Sequence, residues 1–334
     1  MKPKALFIRL DRMGDLVLSL PCDHLVSDQY DVHWLVPKGL DFVVEATRPQ
    51  RNFSTSARTW SWKTFFEFLN LVNTLKPKVA ICFHVPWWIP MALFVARVPL
   101  RGGVLSQWHS YLFLNKGLRQ KRSRCEQHEM EYNYLLTEYV FDLPKDKSQW
   151  TPLQMKAPEN FKAFSFDRDQ KYFVVHPGMG GSALNWPTDQ YYKVIDDLSH
   201  RAQVVITGTA ADLPYINPLK QKLKDNPRVT WLDQQLDGSQ LLNLLNDAIA
   251  ILAPSTGVLH LSASLGAPSL GIYSPILVHQ ARRWGPKGPQ AWSFSPQVQC
   301  PSQFECLGKK CPHFFCMEGL ETGPVVEKAL SFLN

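Results

Sequence analysis

Short apolar runs of strand length alternate along most of the chain with stretches in which apolar residues recur at helical spacing. That rhythm predicts parallel sheets covered by helices, the α/β class. Lys4 to Arg9 reads as the first strand, and the Leu16, Val17, Leu20, Leu25 spacing after Gly14-Asp15 as a helix. Asp31 to Val36, Val79 to His84 and Val98 to Gly103 read as later strands of the same half. A polar stretch from Asp142 to Asp169, with Pro144, Pro152 and Pro158, then breaks the rhythm and predicts an interdomain connection. Beyond it come a strand at Lys171 to His176, a Gly-rich turn at Pro177 to Ser182, and a helix at Thr188 to Leu198 that Thr188 is suited to cap. Ala202 to Thr207, Val229 to Leu232, Ala248 to Leu252 and Pro268 to Tyr273 supply further strands. No internal repeat or low-complexity tract is visible. The expectation is two Rossmann-like domains, residues 1–160 and 161–334, with a cleft between them.

Composition narrows the class. With 334 residues, 45% of them hydrophobic and 19% charged, the chain is long and apolar enough to fill two cores, which excludes disorder and fibres. Apolar stretches such as Val79 to Phe83 and Met91 to Val98 fall short of the roughly 18 to 20 residues of a membrane span. Arg9, Asp11, Arg12 and Asp15 interrupt the apolar core that a signal peptide would need after Met1-Lys2-Pro3-Lys4, so a cytoplasmic location is predicted. Seven cysteines, an odd number, fit reducing conditions. The 36 Lys and Arg against 29 Asp and Glu favour anionic partners without choosing among nucleotide, nucleic acid and membrane surface.

Three segments place small or acidic residues between a strand end and a helix start, where open α/β sheets collect ligands. In Arg9-Leu10-Asp11-Arg12-Met13-Gly14-Asp15, Gly14 permits a tight turn and Asp15 is placed either as a general base or as a simple helix cap. His176-Pro177-Gly178-Met179-Gly180-Gly181-Ser182 offers backbone N–H groups to a phosphate, although neither the P-loop nor the G-x-G-x-x-G spacing is present. Ala253 to Ala263 carries more information: Ser255, Thr256 and Gly257 would present hydroxyls and amides to a diphosphate at a helix start, with His260 one turn on. Asp167-Arg168-Asp169 has the D-x-D form of a metal-nucleotide site, but it precedes a strand and reads as a solvated loop. Cys300, Cys306, Cys311 and Cys316, with His313 among them, lack the C-x-x-C pair of a zinc site, and no metal is predicted.

Taken in order, these segments resemble glycosyltransferase family 9, the bacterial heptosyltransferases of lipopolysaccharide inner-core assembly. The likeness rests on Ala5 to Arg9 followed by Met13-Gly14-Asp15 through Leu20-Pro21, on His176-Pro177-Gly178 with Asn185-Trp186-Pro187, and on Ser255-Thr256-Gly257 through His260 with Ala267-Pro268 and Tyr273-Ser274-Pro275. Gln127-His128-Glu129 and Cys316-Met317-Glu318 extend it over nearly the whole chain. The resemblance implies a GT-B fold with an N-terminal acceptor domain and a C-terminal sugar-nucleotide domain, and inverting transfer without a metal or other cofactor. It implies ADP-heptose as donor, a lipid A-linked core oligosaccharide as acceptor, and a position at the inner face of the inner membrane.

By the same resemblance Asp15 is the base. Gly178, Met179, Gly180, Gly181, Ser182, Ser255, Thr256, Gly257 and His260 hold the donor, and Asp212 stands where the family has an acid contacting adenosine or ribose. Gly14 and the basic residues Arg97, Arg101, Arg119 and Arg122, from a run that includes Lys121 and Arg124, would meet the acceptor. Trp60, Trp62, Trp87, Trp88 and Trp108 lie near that run, either filling a core or stacking on sugars and headgroups. Two departures concern the substrate: Leu184 replaces a family Lys that pairs with the donor phosphate, and Ser255 replaces a family Asp. They keep open a different sugar or a catalytically weak binding protein. Nucleic-acid binding lacks a recognition helix or an RNA-binding signature and is not expected.

Overall fold

Five of the six residues of strand β1 (Lys4–Arg9) are buried, because β1 lies inside a parallel sheet covered on both faces. The computed structural model describes residues 2–160, 164, 166, 170–180 and 183–333. The chain divides into two compact units, Met1–Arg122 with Glu129–Gln154 and Ser123–His128 with Met155–Asn334. In the first unit β1 is joined by β2 (Asp31–Pro37), β3 (Asn52–Ser56), β4 (Val79–His84), β5 (Leu100–Val104) and β6 (Lys116–Leu118), all pairing parallel in the spatial order 3-2-1-4-5-6.

Alternation along β1 divides its side chains between the two faces. Leu6 and Ile8 join a core made by α3 (Trp62–Leu75) and α4 (Trp88–Val95), through Phe65, Phe68, Val72, Trp88 and Leu93. Phe7 turns the other way, edge-on to Trp34 at 5.1 Å and 5.9 Å from Phe83, with Phe141 at 5.8 Å. The remaining helices of this unit are α1 (Met13–Val17), α2 (Asp41–Glu45), α5 (Trp108–Phe113) and α6 (Glu129–Val140).

The second unit repeats the architecture with a different sequence. Its sheet contains β7 (Tyr172–Val175), β8 (Gln203–Ile206), β9 (Val229–Trp231), β10 (Ile251–Pro254), β11 (Ser269–Ile272) and β12 (Ala291–Phe294), again parallel and in the order 9-8-7-10-11-12. The helices are α7 (Thr188–Ser199), α8 (Leu213–Lys222), α9 (Gly238–Asn246), α10 (Gly257–Ser264), α11 (Ala281–Trp284) and α12 (Gly323–Leu330). Phe173, Val175, Val204, Ile206, Leu252 and Leu270 build the main core with Tyr191, Val194, Ile195 and Val325.

Several boundaries differ from the sequence reading. The helix expected through Leu25 stops at Val17 and resumes as a 3₁₀ turn at Leu20–Leu25 that carries Pro21 in its first turn. The strand expected from Val98 begins at Leu100, since Pro99 has no N–H to donate while the Leu100 amide bonds the Lys78 carbonyl. The strand expected at Ala248 to Leu252 runs instead from Ile251 to Pro254, because Asp247 still closes α9. Thr188 is the first residue inside α7 and makes no capping bond, the cap position belonging to Pro187. Asn52–Ser56, Lys116–Leu118 and Ala291–Phe294 are strands that the sequence pattern does not predict; all three are short edges, the first largely polar and the second glycine-bearing, as solvent-facing edges tend to be. Among the described residues no helix is long and apolar enough to cross a membrane.

Trp88 is fully buried in the first core, edge-on to Phe68 at 5.7 Å. Trp88→Ala is expected to cost about 3–5 kcal/mol, read as a lowered midpoint in urea unfolding.

Candidate functional site

In a doubly wound sheet the chain reverses direction between the first and fourth strands, and ligands collect at the carboxyl ends there. In the first unit that point lies between β1 and β4, whose last residues, Arg9 and His84, are paired in register after an irregularity at Ile8. Arg9 is only 2% exposed. Its Nε donates to Asp11 Oδ1 and its Nη2 to Asp15 Oδ1, both at 2.6 Å, while Glu129 Oε1 stands 3.9 Å from Nη2. Glu129, the first residue of α6, also pairs with Arg122.

Three carboxylates therefore surround one guanidinium. Burial opposes the charge on Arg9, yet Asp11, Asp15 and Glu129 together hold its pKa above the usual range. For Asp15 burial is the largest cause, Asp11 and Glu129 add to it, and Arg9 and His84 oppose it; the carboxyl is pushed up to about 6. Asp15 does not cap α1, since the cap position is Arg12 and no side chain bonds there. The capping alternative is thereby replaced by an ion pair. The Asp15 backbone is pinned as well: Ser19 Oγ donates to its carbonyl at 2.8 Å, and Asn133 of α6 donates to Ser19 Oγ at 3.1 Å.

Gly14 is buried within α1, so it offers backbone alone. The four arginines expected at the acceptor differ in character. Arg101 donates from Nε to the Phe113 carbonyl and from Nη1 to the Val98 carbonyl, at 2.8 and 2.6 Å, and so ties the segment between α4 and β5 to the end of α5. Arg122 bonds Gln120 and Glu129. Arg97 and Arg119 are exposed.

In the second unit the reversal lies between β7 and β10, which brings together two of the segments singled out in the sequence: the His176 amide donates to the Leu252 carbonyl at 2.9 Å. Gly178 is required there, because a Cβ on it would sit 2.0 Å from Asp212 Oδ1, and Gly180 adopts φ +58°. Gly181 and Ser182 lie outside the described residues, as does Asp167-Arg168-Asp169. Asn185 explains part of the Asn-Trp-Pro motif: its Nδ2 donates to the Pro177 carbonyl at 2.7 Å, and its Oδ1 accepts from the Trp186 amide and the Tyr191 hydroxyl. Trp186 is 1% exposed and anchors the segment in the core.

Asp212 and His260 do not present charge to solvent. Asp212 is 3% exposed, and its Oδ2 accepts from the amide and hydroxyl of Thr209, both at 2.8 Å, so it forms the floor against which Gly178 rests. His260 is buried in α10; burial lowers its pKa to about 4, leaving a neutral imidazole whose Nδ1 has no hydrogen-bond partner among the described residues. Thr256 precedes α10 without a side-chain capping bond, and the Tyr273 hydroxyl donates to the Trp284 carbonyl at 2.8 Å. Leu184 packs against the hydrophobic core. Among the described residues no disulfide joins the cysteines, and no group of three or more His, Cys, Asp or Glu is arranged to hold a metal.

Residues 91–311 match the family model for glycosyltransferase family 9 (heptosyltransferase). The chain belongs to this glycosyltransferase family. A Haemophilus influenzae protein provisionally named a glycosyltransferase is 30% identical over 193 residues; the match spans 54% of this chain and only about half, 55%, of that protein. The fold is GT-B, as in ADP-heptose LPS heptosyltransferase II of Escherichia coli (TM-score 0.80, 17% identity, covering 99% of this chain and 98% of that one). A family 9 glycosyltransferase of Veillonella parvula is similar to the same extent (TM-score 0.82, 15% identity, 100% and 98% covered).

Arg9, Glu129 and His84 were not singled out as site residues from the sequence. Arg9 carried a usable signal, a charged residue closing an apolar strand at a Gly-Asp turn, whereas Glu129 is brought to it only by the fold. Gly178→Ala is expected to destabilise by about 1–3 kcal/mol through overpacking. Because the clash is with Asp212, whose own Cβ would lie only 2.3 Å away, the penalty should fall by about 1 kcal/mol or more in an Asp212→Gly background, a coupling that a double-mutant cycle of urea unfolding measures.

Proposed function

We propose that this family 9 glycosyltransferase carries out an inverting, metal-independent transfer of a sugar, heptose from ADP-heptose, onto a lipid A-linked core oligosaccharide. The observation that carries the reading is Asp15, a partly exposed carboxylate in the first turn of α1, just after β1, with its pKa pushed up to about 6. Such a group is ionised at neutral pH and basic enough to take a proton from an attacking hydroxyl. Arg9 fixes its direction.

In the proposed step the acceptor O–H gives its proton to Asp15 as its oxygen bonds the anomeric carbon. The bond from that carbon to the diphosphate breaks on the opposite face, and its electron pair leaves on the phosphate oxygen. Amides around Gly178 and at the start of α10 would stabilise the departing charge through the positive helix end. His260, neutral at pH 7, would contribute a hydrogen bond through its unpartnered Nδ1 and no charge.

A second reading, transfer of a different sugar, is supported by Leu184, which packs into the core where a phosphate-pairing Lys would stand, and by Ser255, which stands where the family has an Asp. Turnover assays with ADP-, UDP- and GDP-sugars on a core acceptor distinguish the two, and tight nucleotide-sugar binding without turnover in any of them would point to a binding protein. Asp15→Asn should lower turnover by about 10²–10⁴-fold with donor affinity unchanged; unaltered turnover would remove Asp15 as the base. The kcat/KM profile should rise through about pH 6 as Asp15 loses its proton. Glu129→Gln, which removes a like charge, should move that midpoint to lower pH.

A further inference from the structure

We propose that the outer face of α3, α4 and α5 is a docking surface for an anionic lipid bilayer. As a statement about the acceptor's carrier the inference rests on the reading above, and its test is chosen to fail separately from that reading.

The core does not need the side chains on this face. On α3 the inward positions Phe65, Phe68 and Val72 are buried, yet Trp62 and Phe66, one turn apart on the opposite side, are 66% and 60% exposed. Trp60 lies edge-on to Trp62 at 5.3 Å and stacks on Trp87 at 6.2 Å, so these indoles form one exposed cluster instead of scattered single residues. On α4 all eight residues are apolar; an all-apolar helix is normally enclosed, but Phe94 and Val95 are more than half exposed. On α5 the usual arrangement is inverted. His109 and Ser110 are buried, bonded to Gln107 at the helix start, while Trp108, Tyr111 and Leu112 point outward, Trp108 and Leu112 more than 60% exposed.

Charge selects the occupant. Residues 57–124 contain eleven Lys and Arg and a single acid, Glu67, so this segment carries more than the whole net excess of the chain. Lys63 stands beside Trp62 on α3, Arg97 follows α4, and the Arg101 guanidinium lies 5.4 Å over the Phe94 ring. A second copy of the same face would meet like charge. An anionic headgroup layer instead offers phosphates to the cations and an interfacial zone to amphipathic rings, the environment in which Trp and Tyr concentrate.

The full chain should cosediment with phosphatidylglycerol-rich vesicles, bind pure phosphatidylcholine vesicles far less, and be released by salt. The triple variant Trp62→Ala, Phe66→Ala, Trp108→Ala should fold normally by circular dichroism and lose binding to the anionic vesicles on the order of tenfold or more. Failure of the wild type to bind, or equal binding by the triple variant, would overturn the proposal. So would self-association of the wild type that the variant abolishes, since the face would then be a contact between copies. Turnover on a delipidated, water-soluble core acceptor should be the same for wild type and variant; if both are inactive while vesicle binding follows the pattern above, the reaction assignment fails and the docking surface stands.

Discussion

A single guanidinium buried among three carboxylates governs the first unit of this protein. Arg9 has almost no access to water, and a buried charge is tolerated only when it is paired and hydrogen-bonded. Asp11 and Asp15 supply the bonds and Glu129 a third negative charge, itself balanced by Arg122. The arrangement ties the end of β1, the first turn of α1 and the start of α6 to one point. It also settles a competition at Asp15: attraction to Arg9 favours the ionised carboxylate, but desolvation and two neighbouring carboxylates outweigh it. One interaction therefore both orients the carboxylate and leaves it more basic than an ordinary aspartate.

The second unit uses the same strand order and solves the matching problem with little charge. Its loops at the reversal point are held by Asn185 on the Pro177 carbonyl, by Asp212 filling the space beneath Gly178, and by Trp186 anchored in the core. Titratable groups there are buried and locally satisfied or neutral. Among the described residues the start of α10 carries no side-chain cap, and backbone amides at a helix start recognise phosphate without lysine. The shared order of both sheets was invisible as a sequence repeat because strand order depends on which runs pair, and any buried apolar run meets that requirement.

Legibility followed burial. Strands covered on both faces, such as β1, β4 and β7, read directly as apolar runs, whereas the edges β3 and β6 did not, since each pairs on one side and keeps polar residues or glycine. Asp15, Gly178 and Ser255 were legible from their place between strand and helix. Glu129 was not, because 120 positions separate it from Arg9 and the pairing exists only once α6 packs on the turn after α1. His260 and Asp212 were found, but their positions could not show whether the side chains face a ligand or the interior; burial turned one into a neutral imidazole and the other into a floor. Arg101 shows the same limit, since a basic run gives the sign of a surface and not which cations are bound to carbonyls.

The tryptophans sharpen that limit. A helical period fixes which residues share a side and leaves open which side faces inward; the decision belongs to the surface that competes for each face. Trp88 went to the core, while Trp60, Trp62, Trp87 and Trp108 stayed outside, and α5 buried its histidine and serine because those two close hydrogen bonds with its own first turn. Satisfying polar groups inward while leaving apolar rings outward is costly in water alone, since each exposed ring forgoes about 25 cal/mol for every Å² it could have buried. Such an arrangement is stable when a well-packed sheet and core supply the folding energy, and the aromatic face is then available to a second, less polar phase.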